Sequence, residues 1–335
     1  MPVTLNEMKV GMHDKIAQHI VDKFIRESEI LELLPFDNCV SPSSGSTMVY
    51  GYVQKKKPSA AQFRALNTEY TPSEATVEDK TAKLKIFGGA FEMDRVINDA
   101  AGDYNNLEFQ VDEKIKSAVG LFHDAMINGD EASNALGFDG LDKFLVGSES
   151  EFNIDGYIDL STMDKLKENA DVFYEALLKL INRTGAQALM VNETMKTKIQ
   201  TVARILGYKT ESEEAFGRTI TSIGEGKVRL IDLGNVYAAE GEDEEPVVTE
   251  TPIINLKERN VGGSAVTGLT DIYGVRFSVL DGFHGVTLTG EKGIKQFMPD
   301  FKTPGAVKKG EVEMVACVAL KNSRAAGVLR NIKVL

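Results

Sequence analysis

A long polar segment between two strand-like runs is the feature that most limits how this chain can fold. The runs are Thr47–Val53 and Val77–Met93, and the more than twenty residues between them include few large apolar side chains, namely Phe63, Leu66 and Tyr70. The segment is too long for a tight hairpin turn and too weakly apolar to form its own core. Strands of about 10 residues at about 3.3 Å each would place its tip roughly 30 Å from the body. The pattern predicts a projecting β-hairpin.

The second run begins with side chains of alternating character, which is typical of a half-exposed strand. One face is predicted to be apolar and the other polar, with Ala82, Leu84 and Ile86 on the first and Thr81, Lys83 and Lys85 on the second. Connections of this length are usually functional or disordered, and the flanking strands favour a function.

The length and composition describe a folded protein and exclude several classes. The 335 residues are enough for two domains or one large body with insertions, and 42% hydrophobic residues argue against disorder. No run approaches the about eighteen apolar residues of a membrane helix, and the N-terminus has no secretion signal. The net charge of −12 disfavours a nucleic-acid reader, which needs clustered cations. Cys39 and Cys317 are expected to be reduced thiols of an intracellular protein, without a disulfide.

Two amphipathic patterns in the first half of the chain predict helices. From about Asn6 to Leu34, apolar residues recur every three or four positions, which indicates one or two helices. This stripe packs either on its own domain or on a neighbouring subunit. A second stripe, from about Asp103 to Asn128, predicts a helix roughly 40 Å long. The Gly129 that follows it indicates a left-handed C-terminal cap.

The middle of the chain mixes helices and strands. Ser161 and Asp164 resemble a capping box ahead of an amphipathic stripe. Ala188–Val191 is a short buried-strand pattern, and Asn192 is placed to cap the following helix, which is predicted to end at Gly207. The remainder of the chain is predicted to be mostly β-strand, in short runs between glycine-containing and charged turns.

No arrangement of side chains in the sequence points to catalysis, a metal or a cofactor. The four histidines are scattered, and no zinc, phosphate-loop or nucleophile motif is complete. We therefore expect no enzyme activity and no cofactor. Lys55–Lys57 is either a solvated strand end or a cation cluster that meets an acidic neighbour. The acidic turn Glu242–Glu245 is interpreted as a solvated loop.

Five stretches that follow one another along the chain are informative together. They are AQFRALNTEYTPSEATVEDKTAKLKIFGGAFEMDRVI, FHDAMINGDEASNALGFDGL, ALMVNETMKTKIQTVARIL, DIYGVRFSVLDGFHGVTLTGEKGI and EVEMVACVALKNSRAAGVLRNI. In this order they resemble parts of the major capsid protein of tailed bacteriophages, which has the Hong Kong 97-like fold. The first is similar to the extended E-loop and its return strand, the second to the exit from the spine helix, and the third to a strand and helix of the axial domain. The last two are similar to the closing strands and final helix.

The resemblance implies an α+β chain with the Hong Kong 97-like capsid fold. Its implied parts are an N-terminal arm, an extended β-hairpin E-loop, a peripheral domain with a long spine helix, and an α/β axial domain. The implied boundaries are residues 1–45 for the arm, 46–93 for the E-loop, 94–156 and 281–335 for the peripheral domain, and 157–280 for the axial domain. In this family the E-loop lies across a neighbouring subunit, so it needs no core of its own.

The resemblance also implies a function. The expected protein is a coat subunit that assembles with itself, through hexamers and pentamers, into an icosahedral phage head around double-stranded DNA, which it binds without sequence specificity. Because the chain starts almost directly at the arm, a separate scaffolding protein is expected, with a portal and, as an open alternative, a decoration protein. No membrane partner and no covalent crosslinks are expected. The expected location is the virion, after assembly in the cytoplasm of a bacterial host.

The residues expected to contact other subunits lie mostly in the hairpin, with one in the arm. They are Lys55, Lys56, Lys57, Phe63, Arg64, Glu69, Tyr70 and Phe24. Two other functions stay open from the sequence. One is the shell of an encapsulin-type compartment, which resembles the same fold, and the other is an α+β enzyme with an unrecognised site.

Overall fold

The structure of the protein is a computed structural model, which describes residues 28–39, 48–57, 59–100, 106–207, 211–215, 218–223, 228–240, 247–288 and 295–335. Most of the arm predicted from Asn6 therefore lies outside the described residues, as do Phe24 and the acidic turn Glu242–Glu245. Within the described ranges, no helix combines the length and the apolar content that crossing a bilayer requires.

Helices are concentrated in the first part of the described chain, and every element described after Ile205 is a strand. The helices are α1 (Glu29–Leu33), α2 (Arg95–Ala100), α3 (Asn106–Asn128), α4 (Leu141–Leu145), α5 (Met163–Thr184) and α6 (Glu193–Ile205). The strands are β1 (Phe36–Asn38), β2 (Val49–Lys57), β3 (Thr76–Lys83), β4 (Lys85–Asp94), β5 (Glu151–Phe152), β6 (Ile158–Asp159), β7 (Ala188–Val191), β8 (Glu211–Ala215), β9 (Arg218–Ile223), β10 (Val228–Asp232), β11 (Asn235–Glu240), β12 (Val247–Pro252), β13 (Lys257–Val261), β14 (Ser264–Val275), β15 (Phe283–Thr287), β16 (Lys295–Phe297), β17 (Val307–Leu320) and β18 (Ala326–Lys333).

Most of these strands belong to two sheets. The larger sheet has the order β5-β18-β14-β7-β10-β9-β8, with β13 paired to β14 and β6 paired to β18. The smaller sheet has the order β1-β15-β17-β16, and β4 pairs with β17 on the side opposite β15. Outside both sheets, β2 pairs with β3 and β11 pairs with β12. This mixture of helices and sheets is the α+β class predicted from the sequence.

Helices α5 and α6 cover one face of the larger sheet with the apolar stripes that the sequence predicts. Leu166, Phe173 and Leu177 of α5 form one buried cluster with Met195 and Ile199 of α6 and with side chains of β7, β10, β14 and β18. Alternate residues of β7 and β14 enter a second cluster on the opposite face, together with α3, α4 and the smaller sheet. Because β7 is buried on both faces, all its residues are apolar, as predicted.

The N-terminal caps of α5 and α6 show one correct and one wrong prediction. Asn192 caps α6 as predicted, because its side-chain oxygen accepts a hydrogen bond from the backbone N–H of Met195 at 2.8 Å. The capping box predicted at Ser161 is wrong. Thr162 caps α5 instead, while the hydroxyl of Ser161 donates to the carboxylate of Asp159 at 2.6 Å. Ser161 is therefore used by the preceding turn and is unavailable to the helix.

The long helix predicted in the first half is α3, which has 23 residues and is about 34 Å long. It packs along β4 and β17. The predicted left-handed cap at Gly129 is wrong, because Gly129 is not among the glycines with positive φ. A Cβ atom at Gly129 would lie 2.2 Å from the carbonyl oxygen of Phe138 and 2.3 Å from that of Ala125. The glycine is required by this close backbone approach rather than by its φ angle.

The final helix implied by the resemblance is wrong, because the chain ends in the strand β18. This strand pairs with β14 along one edge and with β5 and β6 along the other. Seven consecutive residues, 326–332, are buried, which is the pattern of a strand covered on both faces. At Gly327 a Cβ atom would lie 2.8 Å from Cγ2 of Thr184 in α5. Packing between layers therefore decides the structure of this segment.

The alternation predicted around residue 84 is correct before that residue and wrong after it. Ala82 is partly buried and Leu84 is buried, as predicted, whereas Ile86 is 59% exposed. The reason is that β3 ends at residue 83 and β4 begins at residue 85, so Leu84 interrupts the strand. The side chains of β4 restart one position out of phase, and Phe87 points inward in place of Ile86.

Candidate functional site

A hairpin lies where the sequence predicts one, but it is shorter than the predicted segment 46–93. Its paired strands end at residue 83, and β4, the later part of the predicted second run, pairs with β17 of the smaller sheet instead. Strands β2 and β3 pair antiparallel from Val49↔Lys83 to Lys57↔Thr76. The residues from 59 to 75 that follow β2 have no helix or strand, and each of them is exposed. We call β2, β3 and the segment between them the finger, residues 59–75 the tip, and the ends of β2 and β3 near Val49 and Lys83 the base. Nine residues in β2 at about 3.3 Å each place the tip roughly 30 Å from the base.

Hydrogen bonds across the tip join its two sides. The backbone N–H of Ala60 donates to the hydroxyl of Ser73 at 3.0 Å, and the side-chain amide of Gln62 donates to the carbonyl of Thr71 at 2.7 Å. The turn between them includes Asn67 with a φ of 65°, a conformation that asparagine adopts more readily than most residues. The tip is thus a loop that is braced by hydrogen bonds between its two sides.

Large apolar side chains of the tip are left in solvent. Phe63 is fully exposed, Leu66 is 88% exposed and Tyr70 is 60% exposed. The guanidinium group of Arg64 lies over the Tyr70 ring, 5.4 Å from its centroid, and donates to the carbonyl of Thr68 at 3.1 Å. Full burial of one such apolar side chain is worth about 1.5–3 kcal/mol. A cluster of this kind on an exposed projection is typical of an interaction surface.

The predicted contact residues fall into three groups. Phe63, Arg64, Glu69 and Tyr70 all lie in the tip. Lys55–Lys57 form the end of β2 next to the tip, where only their backbone is described. Phe24 lies outside the described residues. The structure therefore brings seven of the eight to one end of the finger, and their contact with other subunits stays a prediction.

On the β2 side, hydrogen bonds and a cation fix the base of the finger to the body. The hydroxyl of Tyr50 donates to Asp37 at 2.5 Å. Lys321 Nζ lies 3.7 Å from the Asp37 carboxylate and 5.5 Å from the centre of the Tyr50 ring. Further along β2, the side-chain amide of Gln54 donates to the carbonyl of Leu320 at 3.1 Å. These contacts attach β2 to β1 and to the end of β17.

The titration of this pair follows from its geometry. Burial and the hydrogen bond to Asp37 raise the pKa of Tyr50. Burial by itself would raise the pKa of Asp37, but hydrogen bonds from Tyr50 and the backbone of Asn38, together with the charge of Lys321, lower it overall. At neutral pH the phenol therefore stays a donor and the carboxylate stays a charged acceptor.

On the β3 side, the base is held by an apolar residue between two lysines. Leu84 is buried in the main core. The ammonium groups of Lys83 and Lys85 bond the same oxygen of Glu131, at 2.9 and 3.1 Å, and Lys85 also donates to the carbonyl of Ala135 at 2.6 Å. The hydrogen bonds from the two lysines lower the pKa of Glu131. Sequence reasoning missed Glu131 because 46 residues separate it from Lys85 and nothing local signals the contact.

A buried ion-pair network joins α4 to the larger sheet, and sequence reasoning missed it too. Arg330 of β18 bonds Glu151 at 2.8 Å and Asp271 at 3.1 Å, and it also bonds Asp142 of α4. Asp271 in turn accepts two hydrogen bonds from Arg259. Burial by itself would raise the pKa of Asp271, but the hydrogen bond and charge of Arg259 and the charge of Arg330 lower it. These buried charges are matched within the chain, whereas no carboxylate of the described residues forms an ion pair with Arg64 of the tip.

Comparisons based on sequence find no relative of this chain. No protein-family model matches it, and no curated protein matches it.

Comparison of structures finds proteins with the same fold at low sequence identity. The holo-SrpI encapsulin complex of Synechococcus elongatus PCC 7942 is similar with a TM-score of 0.57 and 14% identity, over 99% of this chain and 97% of that chain. A chain from Mycobacterium phage Bobi is similar with a TM-score of 0.53 and 12% identity, over 99% of both chains. The capsid of a native GTA particle is similar with a TM-score of 0.51 and 10% identity, over 92% of this chain and 93% of that chain.

The likeness extends over nearly the full length of each protein, so it concerns the whole architecture rather than one motif. The chain has the Hong Kong 97-like fold, as predicted from the five stretches of sequence.

Proposed function

We propose that this protein is a shell-forming subunit, which assembles with copies of itself into a closed particle and is not an enzyme. The observation that supports this most is the finger: its base is bonded to the body, and its tip exposes Phe63, Leu66 and Tyr70. A projection of this kind gains apolar burial when it lies on a second copy. We retain the domain boundaries predicted from the sequence as part of this proposal.

The physics of repeated contacts supports closure into a particle. The finger and the surface that receives it are different patches of one chain, so the contact is heterologous and closes into a ring or shell where the rotation permits. Obligate interfaces bury on the order of 2,000–5,000 Å². Several moderate contacts per subunit stabilise the whole assembly through effective concentration while each one stays reversible.

Within this class we favour the major capsid protein of a tailed bacteriophage. The subunits would form hexamers and pentamers of an icosahedral head around double-stranded DNA, in the virion, after assembly in the cytoplasm of a bacterial host. The net charge of −12 suits a shell that surrounds DNA without binding its phosphates tightly. A scaffolding protein, a portal and a decoration protein are the proposed partners.

A second candidate is the shell of an encapsulin-type compartment. It is favoured by the likeness to the holo-SrpI encapsulin complex, which extends over 97% of that chain. The two candidates predict different contents for the same particle.

Electron microscopy of the purified chain, expressed alone and with its genomic neighbours, tests the proposal. Shell formation predicts closed particles of uniform size under at least one of these conditions, and lone subunits under every condition would contradict it. Nuclease-protected DNA inside the particles would favour the phage head, whereas a stoichiometric cargo protein would favour the compartment.

A further inference from the structure

A buried histidine lies beneath the place where β2 attaches the finger to the body. His284 of β15 is fully buried, and its ring is edge-on to the Tyr50 ring, with the two centroids 5.8 Å apart. Its Nδ1 lies 3.4 Å from the carbonyl oxygen of Gly282, and its Nε2 has no hydrogen-bond partner among the described residues. Because most buried polar atoms are paired, an unpaired ring nitrogen at this place requires an explanation.

The pairing of the smaller sheet places His284 on the face that β2 covers. Asp37 pairs with Val286, which pairs in turn with Cys317. His284 lies two residues before Val286, so its side chain points to the same face as those of Asp37 and Cys317. Tyr50 of β2 donates to Asp37 from above this face. The histidine is therefore enclosed between the sheet and the base of the finger.

Several elements bring ionisable groups to the surroundings of His284 and the Tyr50 ring. They are Asp37 of β1 and the Cys39 that follows it, Tyr50 and Tyr52 of β2, Cys317 of β17, and Lys321 at the end of that strand. The ordinary pKa values of aspartate, cysteine, tyrosine and lysine lie outside the range from about 5 to about 7. Burial raises the pKa values of Tyr50 and Cys317 further from that range. Histidine is thus the group that changes its charge there.

The neutral ring fits this enclosure better than the charged ring does. Because Gly282 offers a carbonyl oxygen, Nδ1 carries the proton of the neutral ring and Nε2 is the bare nitrogen. A proton on Nε2 would be buried without an acceptor. Burial, followed by the charge of Lys321, lowers the pKa of His284 against the opposing effects of the Gly282 carbonyl and the Asp37 charge. The ring therefore binds a proton readily when it reaches water.

The base of the finger can open on one side while the other side holds. The β2 side is attached through the side chains of Tyr50 and Gln54. The β3 side continues through the buried Leu84 into β4, which pairs with β17 from Lys85 to Asp94. Loss of the β2 contacts would let the finger pivot at Leu84 without leaving the body, and it would give water access to His284.

We propose that His284 is an acid-sensitive switch at the base of the finger, which holds β2 on the smaller sheet while the ring is neutral and releases it when the ring is protonated. The switch belongs to the single subunit and goes beyond the proposed shell-forming function, on which it does not depend. It makes the angle of the finger respond to the surrounding solution.

The direction of the response follows from the two states of the base. In the open state His284 is hydrated and has the ordinary histidine pKa of about 6.5, whereas in the closed state its pKa is lower. The closed state is therefore fully favoured above about pH 6.5. As the pH falls below that value, the population of the open state rises by up to about tenfold per pH unit.

The thiol of Cys317 reports the opening, because it is fully buried on the face that β2 covers. The measurement is the rate at which a dipyridyl disulfide, which also reacts with thiols in acid, labels Cys317 of the full chain. Mass spectrometry of peptides separates this thiol from Cys39, and a small model thiol corrects for the reagent. We expect the rate to rise about tenfold between about pH 6.5 and about pH 5. Low concentrations of urea should not accelerate it, because a local opening exposes little surface.

Variants of the two buried histidines separate the switch from a general effect of acid. His284→Phe and His284→Gln do not bind a proton, so the labelling rate of Cys317 is expected to be independent of pH in both. His123→Gln is the matched control, because its ring bonds Ser28 of the body and not the finger. This variant is expected to keep the wild-type rise. Circular dichroism at neutral pH checks that each variant folds.

Three results would overturn the proposal. A wild-type rate that does not change between about pH 7 and about pH 5 is the first, and it needs no variant. A rise that persists in both His284 variants is the second, since another group would then control the opening. A rise that low urea accelerates is the third, since the whole subunit would then unfold. None of these results bears on shell formation, which electron microscopy tests separately.

Discussion

Leucine and arginine side chains that are buried and paired in the body of the molecule have exposed counterparts in the tip of its finger. Leu84, at the base, is 3% exposed, whereas Leu66, in the tip, is 88% exposed. Arg330 in the body bonds three carboxylates. Arg64 in the tip contacts an aromatic ring and backbone carbonyls, and no acid of the described chain pairs with it. Leu84 and Arg330 thus find their partners within the chain, whereas Leu66 is left in solvent and Arg64 has no acidic partner among the described residues.

This difference separates two kinds of stability. Substitutions in the body should change the free energy of unfolding of a single subunit. Substitutions in the tip should leave that quantity unchanged and alter association alone. A variant in which a short glycine-serine linker replaces residues 59–75 keeps subunits apart under the proposal, so unfolding of body variants can be measured in it without interference from assembly.

The largest difference is expected between the two arginines. Arg330→Met leaves Asp142, Glu151 and Asp271 without their shared cation, and removal of one partner of a buried ion pair costs about 3–5 kcal/mol. The matched substitution Arg64→Met removes an exposed group and should not change the stability of the subunit measurably. Chemical denaturation of both variants provides the comparison. Equal effects would mean that the tip is part of the folded core.

The two leucines give the next largest difference. Leu84→Ala creates a cavity in the main core beneath the finger and is expected to lower the free energy of unfolding by about 2–5 kcal/mol. Leu66→Ala removes a side chain that touches solvent, so the subunit should keep its stability while the yield of particles falls. Thermal unfolding and sedimentation of the two variants measure these effects. An unstable L66A subunit would show that Leu66 packs on its own chain.

Acidification should weaken the body through His123, a buried residue of α3 bonded to the hydroxyl of Ser28 at 2.8 Å. Burial lowers the pKa of His123 to about 4, against about 6.5 in the unfolded chain. This depressed pKa contributes stability that is fully present above about pH 6.5 and is lost as the pH falls through about 4, up to about 3 kcal/mol.

The measurement is the free energy of unfolding between pH 7 and pH 4. His123→Gln should make the curve shallower in this window, because glutamine does not titrate, and the remaining slope is expected from His284, whose pKa burial also lowers. Arg64→Met is the control from the tip and should follow the wild-type curve. A wild-type curve that is already flat would contradict the assignment of His123 as a buried neutral group. The lowered pKa values of Asp142 and Asp271 act at lower pH, below the pKa of an unfolded aspartate.

The smallest effect on stability is expected for Glu131, which bonds the two lysines Lys83 and Lys85 at the base of the finger. Glu131→Gln removes a partly exposed carboxylate, and ion pairs near the surface contribute little to stability. The subunit should therefore unfold almost as the wild type does. The finger would lose one of its attachments beside Leu84, so assembly should be slower or less uniform in size, as electron microscopy can measure. A large loss of stability would place Glu131 among the core contacts.

The elements that sequence reasoning predicted correctly are those with a local cause. The stripes of α3, α5 and α6 have a helical period within one segment, and Asn192 lies three residues before the N–H that it caps. The finger was predicted because its polar length between two strand-like runs cannot be packed within a core. The order of these elements along the chain then supported the fold.

The failed predictions each depend on contacts between distant segments. Whether Gly129 is needed as a helix cap or for a close approach between backbone segments depends on the position of Phe138. Residues 326–332 form a strand because β14 and β5 lie beside them. The attachment of the base to Glu131 spans 46 residues or more.

Sedimentation velocity of the chain with and without residues 59–75, under conditions in which the full-length protein assembles, tests the central claim most directly. The account predicts that the full-length chain sediments as large, closed particles and that the shortened chain sediments as folded single subunits with an unchanged unfolding transition. Particles of the same size and yield from both chains would contradict it, because the tip would then have no partner on another copy.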